Sequence, residues 1–425
     1  MGLPMVGIHT GSDLSRTSYF GSYSNGGYDS DIVVDSDGNK YVCYSTSIVA
    51  KYDSNGTLLW QKSYDFGSKQ GAAYCSYTDT ILVVSIGVVT AASGAILTKI
   101  DTNGDVVWSK GYDLERAQNG SYVVTNPNNG QIAISNWYGP VNNDYGDLAV
   151  FNSSGTLQWR RQITEPNLYT NVRGGTPAFD SSGNVYLGCH TYTTVGSGAS
   201  WESYMFKFFY SGSVAWQKKL YHPTESIFLS SGTQFVPVVG AEYVYFYGFV
   251  GFRRAMVVQV SASNGALISQ KQFPSEEVGY IQPWGFKYDG TNLYAQFWGT
   301  LSGDSYNKSW IVELDSSLSI VSQRSISFDS SSVYAYGLNV DDSHIYVDGY
   351  GPLHWDLKIP KDGSKAGVYP GIGHTLTYSE SNISIANSIG TLTNGSLSAS
   401  SVTPTVYTLS ASSTTVSNSR SLRKF

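Results

Sequence analysis

The stretch Lys51-Tyr52-Asp53-Ser54-Asn55-Gly56-Thr57-Leu58-Leu59-Trp60-Gln61-Lys62 sets the fold, because it returns along the chain. It reappears as Lys99-Ile100-Asp101-Thr102-Asn103-Gly104-Asp105-Val106-Val107-Trp108-Ser109-Lys110 and as Phe151-Asn152-Ser153-Ser154-Gly155-Thr156-Leu157-Gln158-Trp159. A fourth copy is Tyr210-Ser211-Gly212-Ser213-Val214-Ala215-Trp216. Two more, Ser263-Asn264-Gly265-Ala266-Leu267-Ile268-Ser269 and Asp315-Ser316-Ser317-Leu318-Ser319-Ile320-Val321-Ser322, carry serine in place of the tryptophan. A weak seventh is Lys361-Asp362-Gly363-Ser364. The equivalent positions 60, 108, 159, 216, 269 and 322 lie 48, 51, 57, 53 and 53 residues apart, the length of one four-stranded propeller blade.

A second motif alternates with the first. Its clearest copies are Asp35-Ser36-Asp37-Gly38-Asn39-Lys40-Tyr41, Asp180-Ser181-Ser182-Gly183-Asn184-Val185-Tyr186, Asp289-Gly290-Thr291-Asn292-Leu293-Tyr294 and Asp341-Asp342-Ser343-His344-Ile345-Tyr346. Tyr77-Thr78-Asp79-Thr80, Asn128-Asn129-Gly130-Gln131 and Gly240-Ala241-Glu242-Tyr243 complete a set of seven. Asn-Gly and Asp-Gly pairs supply the positive φ of tight hairpin turns, and the flanking β-branched and alternating runs read as strands. Each unit is therefore strand, tight turn, strand, longer loop, strand, tight turn, strand. Such a sheet cannot bury both faces alone. Radial packing of seven of them does so, which predicts an all-β fold, a seven-bladed β-propeller of four-stranded antiparallel blades.

The two halves, Asp180 to Tyr186 and Lys51 to Trp60, resemble the SBBP β-propeller repeat. They are also similar to pyrroloquinoline-quinone (PQQ) enzyme repeats, where a glycine followed by a tryptophan four residues on docks neighbouring blades. The resemblance covers about residues 29–370; it implies the fold and says little of function. Outside the repeats, Ser15-Arg16-Thr17-Ser18-Tyr19-Phe20-Gly21-Ser22 looks like a fourth strand, as does Gln61 to Ser68. Residues 1–28 are expected to complete the last blade, the alternative being that 364–370 does so and the N-terminus forms an arm. Residues 371–425 form a Ser/Thr-rich segment with three β-prone runs, around Ile383, Thr391 and Thr405. The expectation is a strand-forming arm that finds its partner on another chain, giving a homo-oligomer.

Composition narrows the function. Of 425 residues, 26 are Lys or Arg and 32 Asp or Glu, so the net charge is −6 and the charged share is 14% against about 25% in ordinary proteins. That balance disfavours a nucleic-acid partner, which needs clustered cations. The absence of an apolar run of about 18 residues predicts no membrane insertion, and the N-terminus lacks the pattern of a signal peptide. Cys43, Cys75 and Cys189 read as free thiols within strands.

Catalysis finds little support in the motifs. The six histidines, at 9, 190, 222, 344, 354 and 374, lack metal-site spacing, so neither a metal nor a cofactor is expected. Asp35-x-Asp37-Gly38 lacks the further ligands of a calcium loop and reads as a turn. No catalytic residue is assigned. Because the two tight turns of each unit share one propeller face, ligands are sought on the opposite, variable face or at the channel mouth. Trp137, Tyr138, Tyr192, Trp201, Tyr247, Trp298 and Tyr350 recur near those variable loops as candidates for ligand or partner binding, and Thr191 to Glu202 reads as the longest loop. Low charge and richness in Tyr, Ser, Asn and Gly resemble bacteriophage tail and fibre proteins. The reading is a non-enzymatic virion structural or receptor-binding protein, synthesised in the host cytoplasm, whose partners are other virion proteins or a host-surface receptor such as a glycan. The alternative is a carbohydrate-binding or carbohydrate-active propeller.

Overall fold

The computed structural model of the chain describes residues 8–9, 19–23, 30–44, 47–64, 68–88, 93–112, 119–138, 145–164, 170–193, 200–221, 227–228, 236–237, 242–250, 254–273, 280–301, 303–329, 331–351, 354–363, 367–370, 375–380, 386–387, 391–394, 398–401, 406–408 and 413–415. These form seven antiparallel sheets, the blades of a propeller. Blade 1 runs Ser30–Val34, Lys40–Tyr44, Ile48–Tyr52 and Leu58–Tyr64 from the inside outward. Blade 2 is Ser68–Cys75, Thr80–Val88, Ser93–Asp101 and Val106–Tyr112, and blade 3 is Asn119–Thr125, Ile132–Tyr138, Tyr145–Phe151 and Leu157–Thr164. Blades 4 and 5 have interrupted inner strands, followed by Val185–Thr193, Ser200–Phe208 and Val214–Tyr221, and by Tyr243–Val250, Arg254–Ser261 and Leu267–Phe273. Blade 6 is Ile281–Tyr288, Leu293–Gly299, Lys308–Leu314 and Ile320–Phe328. Blade 7 takes Tyr334–Val340, His344–Tyr350 and His354–Pro360 from one end of the chain and Tyr19–Tyr23 from the other.

The core is divided among the seams. Each of seven apolar clusters joins one blade to the next, from Tyr41, Val49, Ile81 and Ile96 between blades 1 and 2 to Tyr346 with Val42 and Tyr52 between blades 7 and 1. This follows from strand alternation, because successive side chains point to opposite faces of a blade and every face has a neighbour. Cys43, Cys75 and Cys189 are buried free thiols in these strands.

The repeat motif makes the seams specific. In blades 1 to 6 the pairing of the third and fourth strands slips by one residue, leaving Leu59, Val107, Gln158, Ala215, Ile268 and Val321 as bulge residues. A bulge re-aims the residue that follows. Here it directs the tryptophan onto the next blade's turn: Trp60 Nε1 donates to Thr102 O at 3.0 Å, Trp159 Nε1 to Tyr210 O at 2.8 Å and Trp216 Nε1 to Ala262 O at 3.1 Å. Beneath each ring lies the turn glycine. A Cβ on Gly104 would sit 3.1 Å from Trp60, one on Gly155 2.9 Å from Trp108 and one on Gly212 2.6 Å from Trp159. At the seam between blades 5 and 6 both the indole and the glycine are replaced. Ser269 of blade 5 precedes Leu318 of blade 6, a leucine at φ +64° that is fully buried in the seam.

Lysines on the third strands add a second tie between neighbours. Lys51, Lys99, Lys207 and Lys358 donate to Thr102 O, Ser153 O, Ala262 O and Ser54 O of the following blade at 3.3, 3.3, 2.9 and 2.8 Å. The bond from Lys358 to Ser54 spans the closure between blades 7 and 1.

The segment beyond the ring corrects one expectation. Thr375–Glu380, Ala386–Asn387, Thr391–Asn394, Ser398–Ser401, Val406–Thr408 and Ser413–Thr415 lie antiparallel on the outer strands of blades 6, 5, 4, 3, 2 and 1 in turn. Ile8–His9 does the same for blade 7. The runs at Thr391 and Val406 therefore have partners within their own ring. The physical reason is that every outer strand offers an unpaired edge of N–H and C=O groups, which a short strand saturates with backbone alone. Gly367–Pro370 pairs with Thr375–Glu380 at the rim of blade 6.

Candidate functional site

The tight turns of both motifs hold their shape through a carboxylate or amide that accepts backbone N–H groups. Asp53 Oδ1 accepts from Asn55 N at 2.9 Å and Thr57 N at 2.7 Å, and Asp101 and Asn152 repeat the arrangement in blades 2 and 3. In the other turn Asp35 accepts from Asp37 N, Asn39 N, Asn39 Nδ2 and Tyr41 Oη at 3.0, 2.8, 2.9 and 3.1 Å. Its oxygens are engaged by protein donors, which accounts for the motif as a turn. The same Tyr–Asp hydrogen bond recurs at Tyr186–Asp180, Tyr294–Asp289 and Tyr346–Asp341, with distances of 3.1, 2.9 and 2.6 Å. Burial and the neighbouring carboxylate push these phenols well above their ordinary range. Burial raises the Asp341 carboxyl, but hydrogen bonds from His344, Tyr346 and Ser343 outweigh it and hold the group low. Among the described residues no group of His, Cys, Asp and Glu is placed to hold a metal ion.

On the axis, at the end where these turns lie, the inner strands enclose a cavity of about 410 Å³. Blades 1, 2, 3, 4, 6 and 7 contribute to its wall, through residues such as Val34, Ala72, Tyr74, Val124, Phe179, Tyr288, Tyr336 and Asn339. Its volume suits a small ligand or the anchoring side chains of a partner. Tyr74 Oη donates to Asp79 Oδ1 at 2.8 Å and Tyr288 Oη to Gly290 O at 2.6 Å. Tyr336 meets Trp284 edge-on at 5.0 Å. Burial raises the Tyr74 and Tyr288 phenols, so they stay protonated at neutral pH and offer stacking faces and hydrogen bonds. Lys287 is the one side chain in the described lining that carries a full charge at neutral pH.

The aromatics singled out from the sequence fare differently. Tyr247 is fully buried, stacked at 5.0 Å on Phe286 of the next blade and donating to Gln296 O at 2.8 Å. It is a seam residue, a correction that follows from its strand position, where alternation points it at a neighbouring blade. Trp298 is 8% exposed between Tyr280, at 5.6 Å, and Tyr334, edge-on at 4.8 Å. Tyr350 is half-buried. The side chains of Trp137, Tyr138, Tyr192 and Trp201 lie outside the described residues. The Thr191–Glu202 loop is also corrected. Thr191 pairs with Glu202, Tyr192 with Trp201 and Thr193 with Ser200, so only 194–199 connect the strands.

Sequence reasoning passed over the tight-turn face because its turns looked stereotyped. Among the turns that depart from the pattern, two place exposed aromatics on this face. Blade 4 puts Phe209 where blades 1 and 2 have the capping Asp53 and Asp101, and Tyr210 where they have Ser54 and Thr102. The turn survives on backbone bonds, Phe209 N to Ser213 O at 2.8 Å and Gly212 N to Phe209 O at 2.7 Å. Blade 2 places Tyr77 in its first turn. These three aromatics are among the most exposed large apolar side chains, Tyr210 at 68% and Tyr77 at 56%.

A family model described as "Outer membrane protein assembly factor BamB" matches residues 5–202 and, in a second alignment, 45–295. No curated protein matches the chain. Among solved structures, BamB from Moraxella catarrhalis is 13% identical with a TM-score of 0.46, covering 84% of this chain and 100% of that one. The Cps50 (Swd1) β-propeller domain of Myceliophteria thermophila is 8% identical with a TM-score of 0.49, covering 80% and 99%. The C-terminal WD40 domain of Sif2 is 10% identical with a TM-score of 0.48, covering 87% and 97%. The chain is a seven-bladed β-propeller whose matches to the family span more than half its length, and it belongs to the PQQ-type propeller-repeat family of that description.

Proposed function

We propose that this propeller is a non-enzymatic docking module and that it works as a structural or receptor-binding component of a virion, in a bacteriophage tail or fibre. The observation that carries the docking reading is the channel mouth. Its cavity of about 410 Å³ is lined by aliphatic and aromatic side chains together with Thr125, Thr176, Asn339 and Lys287, its phenols are held protonated, and the described lining holds no pair of groups tuned for proton transfer, which suits binding. A family described as an assembly factor fits the same role. The virion reading rests on composition: 14% charged residues with 33 Tyr and 45 Gly are the low-charge, turn-rich make-up of fibre and tail proteins.

Mass spectrometry of purified particles from the source tests it. Recovery of this chain at fixed stoichiometry with capsid or tail proteins is the expected result. Its absence from particles overturns the virion assignment.

A further inference from the structure

We infer that the tips of blade 3, flanked by Tyr77 and Tyr210, form a binding site for a neutral saccharide; this rests on the docking-module reading and names a ligand class for it. The two tyrosines sit at the two seams of blade 3. Tyr77, from blade 2, lies over Gly130 of the first turn of blade 3, where a Cβ would come within 2.8 Å of the ring's Cδ1 and 3.0 Å of Ser153 Cβ. A ring seated on a glycine is fixed in orientation and leaves much of its surface to solvent, and 56% of Tyr77 is exposed. Tyr210, from blade 4, abuts Gly183 and carries the carbonyl that accepts the Trp159 indole of blade 3. Its backbone N–H is held by Asn184 Oδ1 at 3.2 Å, while its side chain is 68% exposed.

Between them, residues 126–131 and 152–156 contain no ionisable side chain: they read Asn-Pro-Asn-Asn-Gly-Gln and Asn-Ser-Ser-Gly-Thr. Lys99 and Lys110, which approach this tip, are spent on Ser153 O and Ser154 O at 3.3 and 2.7 Å. The surface is therefore a pair of exposed aromatic side chains, one from each neighbouring blade, on either side of a strip of amides and hydroxyls. Aromatic faces stack on the C–H faces of sugar rings, and amides and hydroxyls match their hydroxyl groups. The strip's own side chains are uncharged, so its donors and acceptors suit the hydroxyls of a neutral sugar.

The departure of blade 4 from its own repeat supports a selected role. Phe209 gives up the side-chain cap that Asp53 and Asp101 supply, and it and Tyr210 stand 47% and 68% exposed. A local rule broken at exposed positions points to function.

The test is an array of neutral hexose and N-acetylhexosamine oligosaccharides, followed by titration calorimetry on any retained glycan. The full chain is compared with the variant Tyr77→Ser/Phe209→Asp/Tyr210→Ser. The last two changes rebuild the Asp-Ser turn of blade 1, so the fold is retained, and a thermal midpoint checks it. The expected result is retention by the parent chain and at least about tenfold weaker binding by the variant, the loss of two or three stacked rings. Retention of no neutral glycan, or equal affinity in both proteins, overturns the sugar assignment. Particle association measured on the same two proteins separates the cases. If the variant instead loses only a protein partner, the site docks protein and the saccharide reading is wrong, while the docking-module reading stands.

Discussion

The pairing of tryptophan with glycine across a seam makes a quantitative prediction, because the molecule contains its own control. Blades 1 and 2 meet through Trp60 and Gly104; blades 5 and 6 meet at the same place through Ser269 and Leu318. Consider Trp60→Ser, Gly104→Leu and the two together. Removing the half-buried indole loses packing and the bond to Thr102 O, costing about 3–4 kcal/mol. Leucine at position 104 adopts φ +82°, costing about 1–2 kcal/mol. Its Cβ would also lie 3.1 Å from the Trp60 ring, and the rest of the side chain must displace that ring, adding about 1–3 kcal/mol of overpacking. In the double variant the overpacking against the ring vanishes, the flexible Lys62 stem 3.0 Å from the new Cβ gives way, and the leucine recovers about 1.5–3 kcal/mol of burial in the vacated space. The backbone strain remains. The double variant should therefore be more stable than the sum of the singles by about 2.5–6 kcal/mol, read as the coupling energy of a double-mutant cycle in urea followed by circular dichroism. Additivity to within about 0.5 kcal/mol would refute the reasoning, showing that the two positions do not share one space.

Two further outcomes follow from the rim and the turns. Deleting residues 371–425 removes the fifth strand from blades 1 to 6 and exposes their edges; calorimetry should show a lower thermal midpoint and sedimentation new concentration-dependent association. An unchanged midpoint with a monodisperse species would mean that the rim strands contribute nothing. Asp341 is held low by its hydrogen bonds, so its ionised form stabilises the fold above the unfolded value of about 3.9 and that contribution is lost as pH falls below it. Asp341→Asn should lower stability at pH 7, and the deficit should begin to narrow below about pH 4 and go on narrowing as the pH falls further toward the depressed folded value; a deficit that stays constant with pH would assign the effect to packing.

How much of this was legible beforehand varies with the kind of interaction. The blades were, because each depends on contacts close in sequence: Asn-Gly and Asp-Gly turns, strand alternation, and a docking pair repeated at blade length. Trp60, Trp108 and Trp159 announced themselves as a periodic feature. The exposed face of Phe209 and Tyr210 was legible too, as a break in the repeat, but the eye for regularity set it aside. Tyr247 and the Thr191–Glu202 segment were misjudged because a strand end and a loop start share one composition. Only the register, Tyr192 opposite Trp201, separates them.

The sequence by itself determined the number of blades, their strand order and the seams, since these follow from local turn chemistry and a fixed period. The tertiary structure decided where the non-repeating ends go. Tyr19–Tyr23 becomes the fourth strand of blade 7, and residues 375–415 contribute a strand to each outer edge from blade 6 back to blade 1. Such pairing runs through backbone N–H and C=O groups that every residue carries. A short β-prone run states that it can add to an edge, and only the assembled ring, with seven edges at its rim, determines which one it meets.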